Sequence, residues 1–273
     1  MNVSSLTSTF TSLPFSQLRK NRYFYLWYDG SYLVVLLGLL ALMHTTQFAP
    51  LAPTWKPYLW AVLPFAAYFL VLCNVFIHNC THNNFPKPIN RLIGELCGLV
   101  VITRFASWEV IHQRHHRYSD IPEKDPHPVI SSFWKFTLHT ITNVEHQLQT
   151  IFVELYGDTP ENRRYEKLRA YVSYGTNIVL LVTWWRLLGN AGFFFVMLPA
   201  GLIGFLHLIH FNWSTHNAQS TSKDFKPVNL DHGLFKLGNL LFFGIYFHAN
   251  HHKITKVFNP AKMKNGLPVT RPD

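Results

Sequence analysis

The chain has 273 residues, a formal net charge of +10 and 48% hydrophobic residues, enough for one substantial domain whose apolar residues are gathered in blocks. Its basic balance is not accompanied by any nucleic-acid recognition motif, so a membrane-facing origin of the charge is favoured and no nucleic-acid partner is expected. Cys73, Cys80 and Cys97 are odd in number and lack CxxC spacing, which excludes a disulfide framework, an iron–sulfur module and a zinc ribbon.

The N-terminal stretch is rich in Ser and Thr and has no apolar core beside a small-residue cleavage site, so no cleaved signal peptide is expected and residues 1–30 read as a cytoplasmic segment. Residues 31–48 and 57–77 carry no formal charge over about the 20 residues that a bilayer span needs. A second pair of spans follows at 171–188 and 191–211, with a turn expected at the RLLGN of residues 186–190. On an alternating path from a basic N-terminus, only Lys56 and Arg186 of the 24 Lys and Arg fall on the outer side, as the positive-inside rule requires.

Three histidine clusters lie between and after these spans: HNCTH at 78–82, HQRHH at 112–116 and HANHH at 248–252. Side chains three and four residues apart share a helix face, so each cluster presents its imidazoles together. The first begins where the second span ends, on a helix expected to leave the bilayer and stop at Asn83-Asn84-Phe85-Pro86. Residues 89–105 are apolar but interrupted by charge and suit an interfacial or re-entrant helix. His112, His115 and His116 follow on another helix, ended by the turn-rich run from Ser119 through His127. Residues 233–247 repeat the short apolar pattern just before His248, His251 and His252. The expected fold is thus a single all-α membrane domain over 1–273, with four transmembrane helices in two hairpins, interfacial helices and a cytoplasmic cap holding the clusters.

Imidazole suits iron, copper, nickel and zinc, and eight such nitrogens are too many for one ion but about right for two. A dinuclear metal site assembled from distant parts of the chain is therefore expected. Cys80 stands inside the first cluster, either as a ligand or as a small core residue.

With HxxxH, HxxHH and HxxHH in this order, separated by paired spans, the sequence resembles the integral-membrane fatty acid desaturase superfamily, which includes related hydroxylases and carotenoid ketolases. HNCTHNNF is similar to the HECxH or HDCxH box of acyl-lipid desaturases, with Asn79 in place of the acid, and HQRHHRYSDIPEKDPHP to the HRxHHxxxD and DPH stretch of acyl-CoA desaturases. The likeness covers about residues 31–260. Members of the acyl-CoA type also carry an Asn-xxx-His element after the fourth span, which Asn212-Trp-Ser-Thr-His216 matches. The resemblance therefore implies a di-iron centre held by His78, His82, His112, His115, His116, His216, His248, His251 and His252, with Asn212 holding a metal-linked water. It also implies a membrane oxidoreductase that uses O2 to desaturate a fatty acyl chain borne by a lipid, coenzyme A or a carrier. Hydroxylation or ketolation of a lipid or terpenoid chain is the alternative on the same fold.

Carboxylates that orient ligating histidines are expected among Glu109, Asp120, Asp125, Asp224 and Asp231, although acids near a basic cap are commonly just ion-paired. Glu109-Val-Ile-His112 spells the Glu-x-x-His of carboxylate-bridged di-iron bundles, but the second copy and further glutamates are missing, so it reads as chance. His207 and His210 are candidates to support His216, His127 reads as structural, and His44, His139, His146 and His232 show no partner spacing. Trp108, Trp134, Trp184 and Trp185 either line a substrate tunnel or pack at the interface. A haem-binding electron carrier, which would bury its histidines within spans, and a metal transporter, which would need ionisable residues along the membrane path, are distant alternatives, since the histidines are tripled at span ends and the path has almost no such residues. Without a fused haem domain or flavin fingerprint, electrons are expected from an external donor, ferredoxin-like or a small cytochrome, docking on the basic cap.

Overall fold

A computed structural model describes residues 21–216 and 225–270. Its helices are α1 (Phe24–Thr45), α2 (Tyr58–Thr81), α3 (Lys87–Val100), α4 (Phe105–Tyr118), α5 (Phe133–Tyr156), α6 (Pro160–Gly192), α7 (Leu198–Thr215), α8 (Gly233–Leu241) and α9 (His248–Lys253). A π-helical turn, Phe193–Met197, joins α6 to α7. Among the described residues the departure from an all-helical fold is a parallel pair of two-residue strands, β1 (Asn229–Leu230) and β2 (Val269–Thr270), in the register Asn229 to Val269.

Three stretches are long and apolar enough to cross a membrane: Phe24–Thr45, Tyr58–Thr81 and Pro160–Thr215. On α1 and α2 large apolar side chains such as Val34 (70% exposed) and Phe65 (75%) point away from the protein, as lipid-facing positions do. α1 starts at Phe24, earlier than the span expected from residue 31. α2 does run on from its apolar part into the first histidine cluster, ending at Thr81, and Asn83 adopts the left-handed φ of 57° that stops it. α6 begins well before its apolar stretch: the Thr159 hydroxyl accepts from the Asn162 N–H, Pro160 occupies the first turn, and Glu161 meets the positive helix end. α5 was not expected from the sequence.

The turn expected at residues 186–190 is narrowed to one residue, since helical backbone continues on both sides of Gly189, which takes φ 75° and ψ 175°. The backbone groups around this break are paired with the segment after α1. Leu51 and Ala52 donate to the Leu187 and Leu188 carbonyls at 3.0 and 2.8 Å, and the Gly192 N–H donates to the Ala52 carbonyl at 3.1 Å. A Cβ on residue 189 would lie 2.8 Å from the Pro53 Cα and 2.9 Å from the Ala52 oxygen. Gly189→Ala is therefore expected to combine a strained φ with a backbone clash and to cost about 1–3 kcal/mol, measurable as a lowered thermal midpoint in detergent.

The described residues form two compact units. One comprises those within Met1–Phe69, Leu99–Val110 and Glu145–Leu202. Here α1 packs along α6, the Thr176 hydroxyl donates to the Asp29 carbonyl (3.1 Å), and the Trp184 indole donates to the Leu99 carbonyl (2.9 Å). Its interior contains charge. Asp29 faces Arg104 at 3.6 Å, and Arg169 is held between Glu145 and Glu166. The other unit comprises those within Leu70–Gly98, Ile111–Val144 and Ile203–Asp273. Val71, Val75, Phe211, Phe242, Ile245 and Tyr246 form its main apolar core, beside the elements that carry every histidine cluster.

Candidate metal centre

The end of α2, the second half of α4, the end of α7 and all of α9 bring the nine histidines together within the second unit. They sort into two groups, one of His78, His82, His112, His116 and His251 and another of His115, His216, His248 and His252. In each group one ring nitrogen per residue lies within 4.8 Å of all the others. The HxxHH pattern has a geometric reason here. Positions one and five of such a box are stacked one turn apart, whereas position four points about 100° away from position five. On α4 His112 and His116 therefore serve the first group and His115 the second, and on α9 His248 and His252 serve the second and His251 the first. Cys80 is fully buried and belongs to neither group.

Seven of the nine rings face a neighbour nitrogen to nitrogen. Nε2 of His112 lies 3.0 Å from Nε2 of both His82 and His116, and His251 Nε2 is 3.1 Å from His116 Nε2. In the second group His248 Nε2 is 3.1 Å from Nε2 of both His216 and His252. Two nitrogens bound about 2.1 Å from one ion and at right angles to it are separated by about 3 Å, so these spacings fit neighbouring ligands of a common metal. The buried Nε2 atoms of His78 and His115 have no hydrogen-bond partner. Orphaned buried nitrogens are costly unless something binds them, and a metal ion is the group that fits.

Carboxylates fix two of the rings from behind. His115 Nδ1 donates to both oxygens of Asp125 at 3.0 Å, and His216 Nδ1 donates to Asp120 Oδ2 at 2.9 Å. These acids come from the turn after α4. Asp120 takes a left-handed φ of 62°, its N–H donates to Asp125 Oδ2 (2.7 Å), and the His127 N–H donates to Asp125 Oδ1 (3.0 Å). Asp231 instead accepts from the Asn239 amide at 3.0 Å, Glu109 is half-buried on α4, and Asp224 lies outside the described residues.

Burial, reinforced by neighbouring imidazoles, pushes the pKa values of His82, His112, His116, His248, His251 and His252 well below the ordinary range. Burial lowers His216 too, against the opposing pull of Asp120. The rings are thus kept neutral, the form that binds metal. For His115 burial also disfavours protonation, but Asp125 and Asp120 outweigh it and raise the pKa. Burial resists ionisation of Asp125, yet the charge and hydrogen bond of His115 hold its pKa well below the carboxylate range.

Asn212 is buried one turn before His216, and its amide donates to the Leu208 carbonyl at 3.2 Å rather than to an imidazole. His207 pairs with the Tyr246 hydroxyl (3.2 Å), and His210 stacks near Phe235 at 6.1 Å, so neither supports His216. Trp134 and Trp185 are exposed at the protein surface. The supporting residues that motif reading passed over are mostly amides. Asn84 donates to Asn79 Oδ1 (2.9 Å) and to the Thr255 carbonyl (3.0 Å), tying the first box to the segment after the third. Gln113 donates to the Thr81 carbonyl (2.9 Å), and fully buried Asn229 grips Asn250 of α9 through its side-chain amide (3.0 Å) and oxygen (3.1 Å). His127 stacks on His115 with centroids 4.4 Å apart, and burial lowers its pKa to about 3. The Asn84, Gln113 and Asn229 contacts join segments remote in sequence, a pairing that no motif carries, whereas His127 was visible as a structural residue.

The profile of the family described as "Fatty acid desaturase" matches residues 53–257, which contain all nine histidines. Among curated proteins, the chain is 38% identical over 50 residues to an sn-1 oleoyl-lipid 12-desaturase of a Picosynechococcus species, covering 18% of this chain and 14% of that protein. It is 32% identical over 78 residues to an sn-1 oleoyl-lipid 12-desaturase of Anabaena variabilis, covering 26% of this chain and 22% of that protein. The matched stretches thus span less than a quarter of either relative. No solved structure matches the chain. With the family profile running through every histidine cluster and three apolar helices of membrane length, the chain is an integral membrane protein that belongs to the fatty acid desaturase family of oxidoreductase enzymes.

Proposed function

We propose that the chain is a di-iron enzyme that uses O2 and external electrons to desaturate a fatty acyl chain, with His78, His82, His112, His116 and His251 binding one ion and His115, His216, His248 and His252 the other. The single observation that carries this reading is the division of nine buried or half-buried imidazoles into two groups, each with its nitrogens within 4.8 Å. Two iron ions held there would supply the O2-dependent oxidation of an unactivated methylene. The chain's own part is to bind and orient. Asp125 and Asp120 hold the His115 and His216 rings through Nδ1, which leaves Nε2 to bind a metal ion, burial keeps the other ligands neutral, and buried Asn212 would hold a metal-linked water. Phe211, 4.8 Å from the His248 ring centroid, shields the site on its apolar side.

The whole chain acts as one domain with four crossings, the break at Gly189 dividing Pro160–Thr215 into two spans. Its termini and histidine boxes face the cytoplasm, a placement favoured by the Lys and Arg distribution. An acidic donor, ferredoxin-like or a small cytochrome, docks on the basic face, where Arg117, Lys253 and Lys256 are exposed on or beside the box helices.

Lipid analysis of a heterologous host expressing the chain tests this reading. Acyl chains with a new double bond are expected with the wild-type chain and not with His115→Ala; unchanged lipids in both, with the protein present and iron-loaded, contradict it. Asp125→Asn is expected to be less drastic than loss of a ligand, lowering iron affinity by about 10–100-fold because the ring it orients remains in place. Iron titration of the purified variant measures this directly.

A further inference from the structure

A small cavity in the second unit opens on one of the proposed metal ligands. Val75 and His78 of α2, Phe211 of α7 and Ile245 before α9 form much of its wall, and the wall is otherwise apolar except for Asn74 and His207. Asn74 sits one turn before His78, so its amide lies about 6 Å further along the helix axis from that ligand. Gly204 lets α7 pass close beside it, since a Cβ there would be 3.3 Å from the Leu70 Cβ and 3.7 Å from the Asn74 Nδ2. His207 has its Nε2 taken up by the Tyr246 hydroxyl at 3.2 Å. Asn74 is half-buried on α2 and lines the cavity.

A cavity meant for plain hydrocarbon gains nothing from an amide and an imidazole, which lose their hydration when an alkyl chain covers them. Ligand sites of this kind combine apolar walls with a few placed polar groups that fix orientation, and polar side chains inside membrane-length helices mark function by default. We infer that Asn74 and His207 read a hydrogen-bonding oxygen on the substrate, a hydroxyl on the chain or the carbonyl of its ester, held about one helical turn from the level of His78. The inference rests on the function proposed above, and it narrows the substrate to a chain with an oxygen a few carbons from the position attacked.

Binding to the full-length iron-loaded chain, measured without O2 so that no turnover occurs, tests it. The probes are phosphatidylcholines in detergent micelles carrying a stearoyl ester, stearoyl esters hydroxylated at successive positions, or a stearyl ether. If the oxygen is on the chain, one hydroxylated isomer binds about tenfold tighter than the plain ester; if it is the ester carbonyl, the plain ester binds about tenfold tighter than the ether. In Asn74→Leu and in His207→Phe that difference shrinks to about twofold or less, and iron content reports that each variant has folded. Equal binding of all probes by the wild-type chain overturns the inference, as does a difference that survives in both folded variants. Should a variant fail to fold, the wild-type comparison alone decides. Failure of the underlying reading looks different: no probe binds and no iron is retained.

Discussion

His115→Ala is expected to abolish turnover and to lower bound iron to about one ion per chain, the loss exceeding the 10–100-fold that follows removal of an outer partner. Two effects combine. The second group falls from four nitrogens to His216, His248 and His252, and the Asp125 carboxylate, fully buried, loses the imidazole that both its oxygens accept from. His82→Ala and His251→Ala are likewise expected to abolish turnover, because each removes a nitrogen from the first group. His44→Ala and His139→Ala should retain most activity, since His44 is exposed on α1 and neither residue belongs to a group. Activity in a membrane assay with iron counted on the same preparations separates these outcomes. Near-normal turnover in the three group variants contradicts the ligand assignment.

The second large effect is on stability. Arg169 is 2% exposed and is clamped between Glu145 and Glu166, donating to Glu166 at 3.0 Å and through two nitrogens to Glu145. Arg169→Met fills the space but leaves two carboxylates facing each other without a cation, and removing one partner from a buried ion network costs about 3–5 kcal/mol. A strongly lowered thermal midpoint in detergent is the expected result. Neutralising the acids as well, in Glu145→Gln/Glu166→Gln/Arg169→Met, should recover most of the loss, because the penalty lies in unpaired charge rather than missing packing. A triple variant as unstable as Arg169→Met contradicts this explanation.

Much of the candidate site was legible because helical periodicity acts over a few residues. The boxes themselves carry the information that His112 and His116 lie together, and the metal-ligand chemistry of imidazole does the rest. Asp120 and Asp125 were legible as candidates, but choosing them over Glu109 and Asp231 required the left-handed turn at Asp120, which leaves Asp125 facing His115 of α4 and Asp120 facing His216 after α7. The Asn84 and Asn229 braces were hidden because their partners, Thr255 and Asn250, are remote in sequence.

The fold was legible where it is apolar and obscure where it is mixed. Uninterrupted hydrophobic runs revealed α1 and α2, whereas α5 escaped notice because Phe136, Ile151 and Phe152 on its buried face are interleaved with Thr, His, Gln and Glu. The chain break near residue 189 was visible as a Gly-containing turn, yet its reduction to one residue depends on Leu51 and Ala52 pairing with the carbonyls beside it. Local sequence could not supply that partner.

The central claim is that the nine imidazoles hold two iron ions, and metal analysis of the protein purified from an iron-replete host tests it most directly. The account predicts two irons per chain, because five and four converging nitrogens exceed what a single ion can use. One equivalent of iron, or stoichiometric zinc in its place, would contradict it.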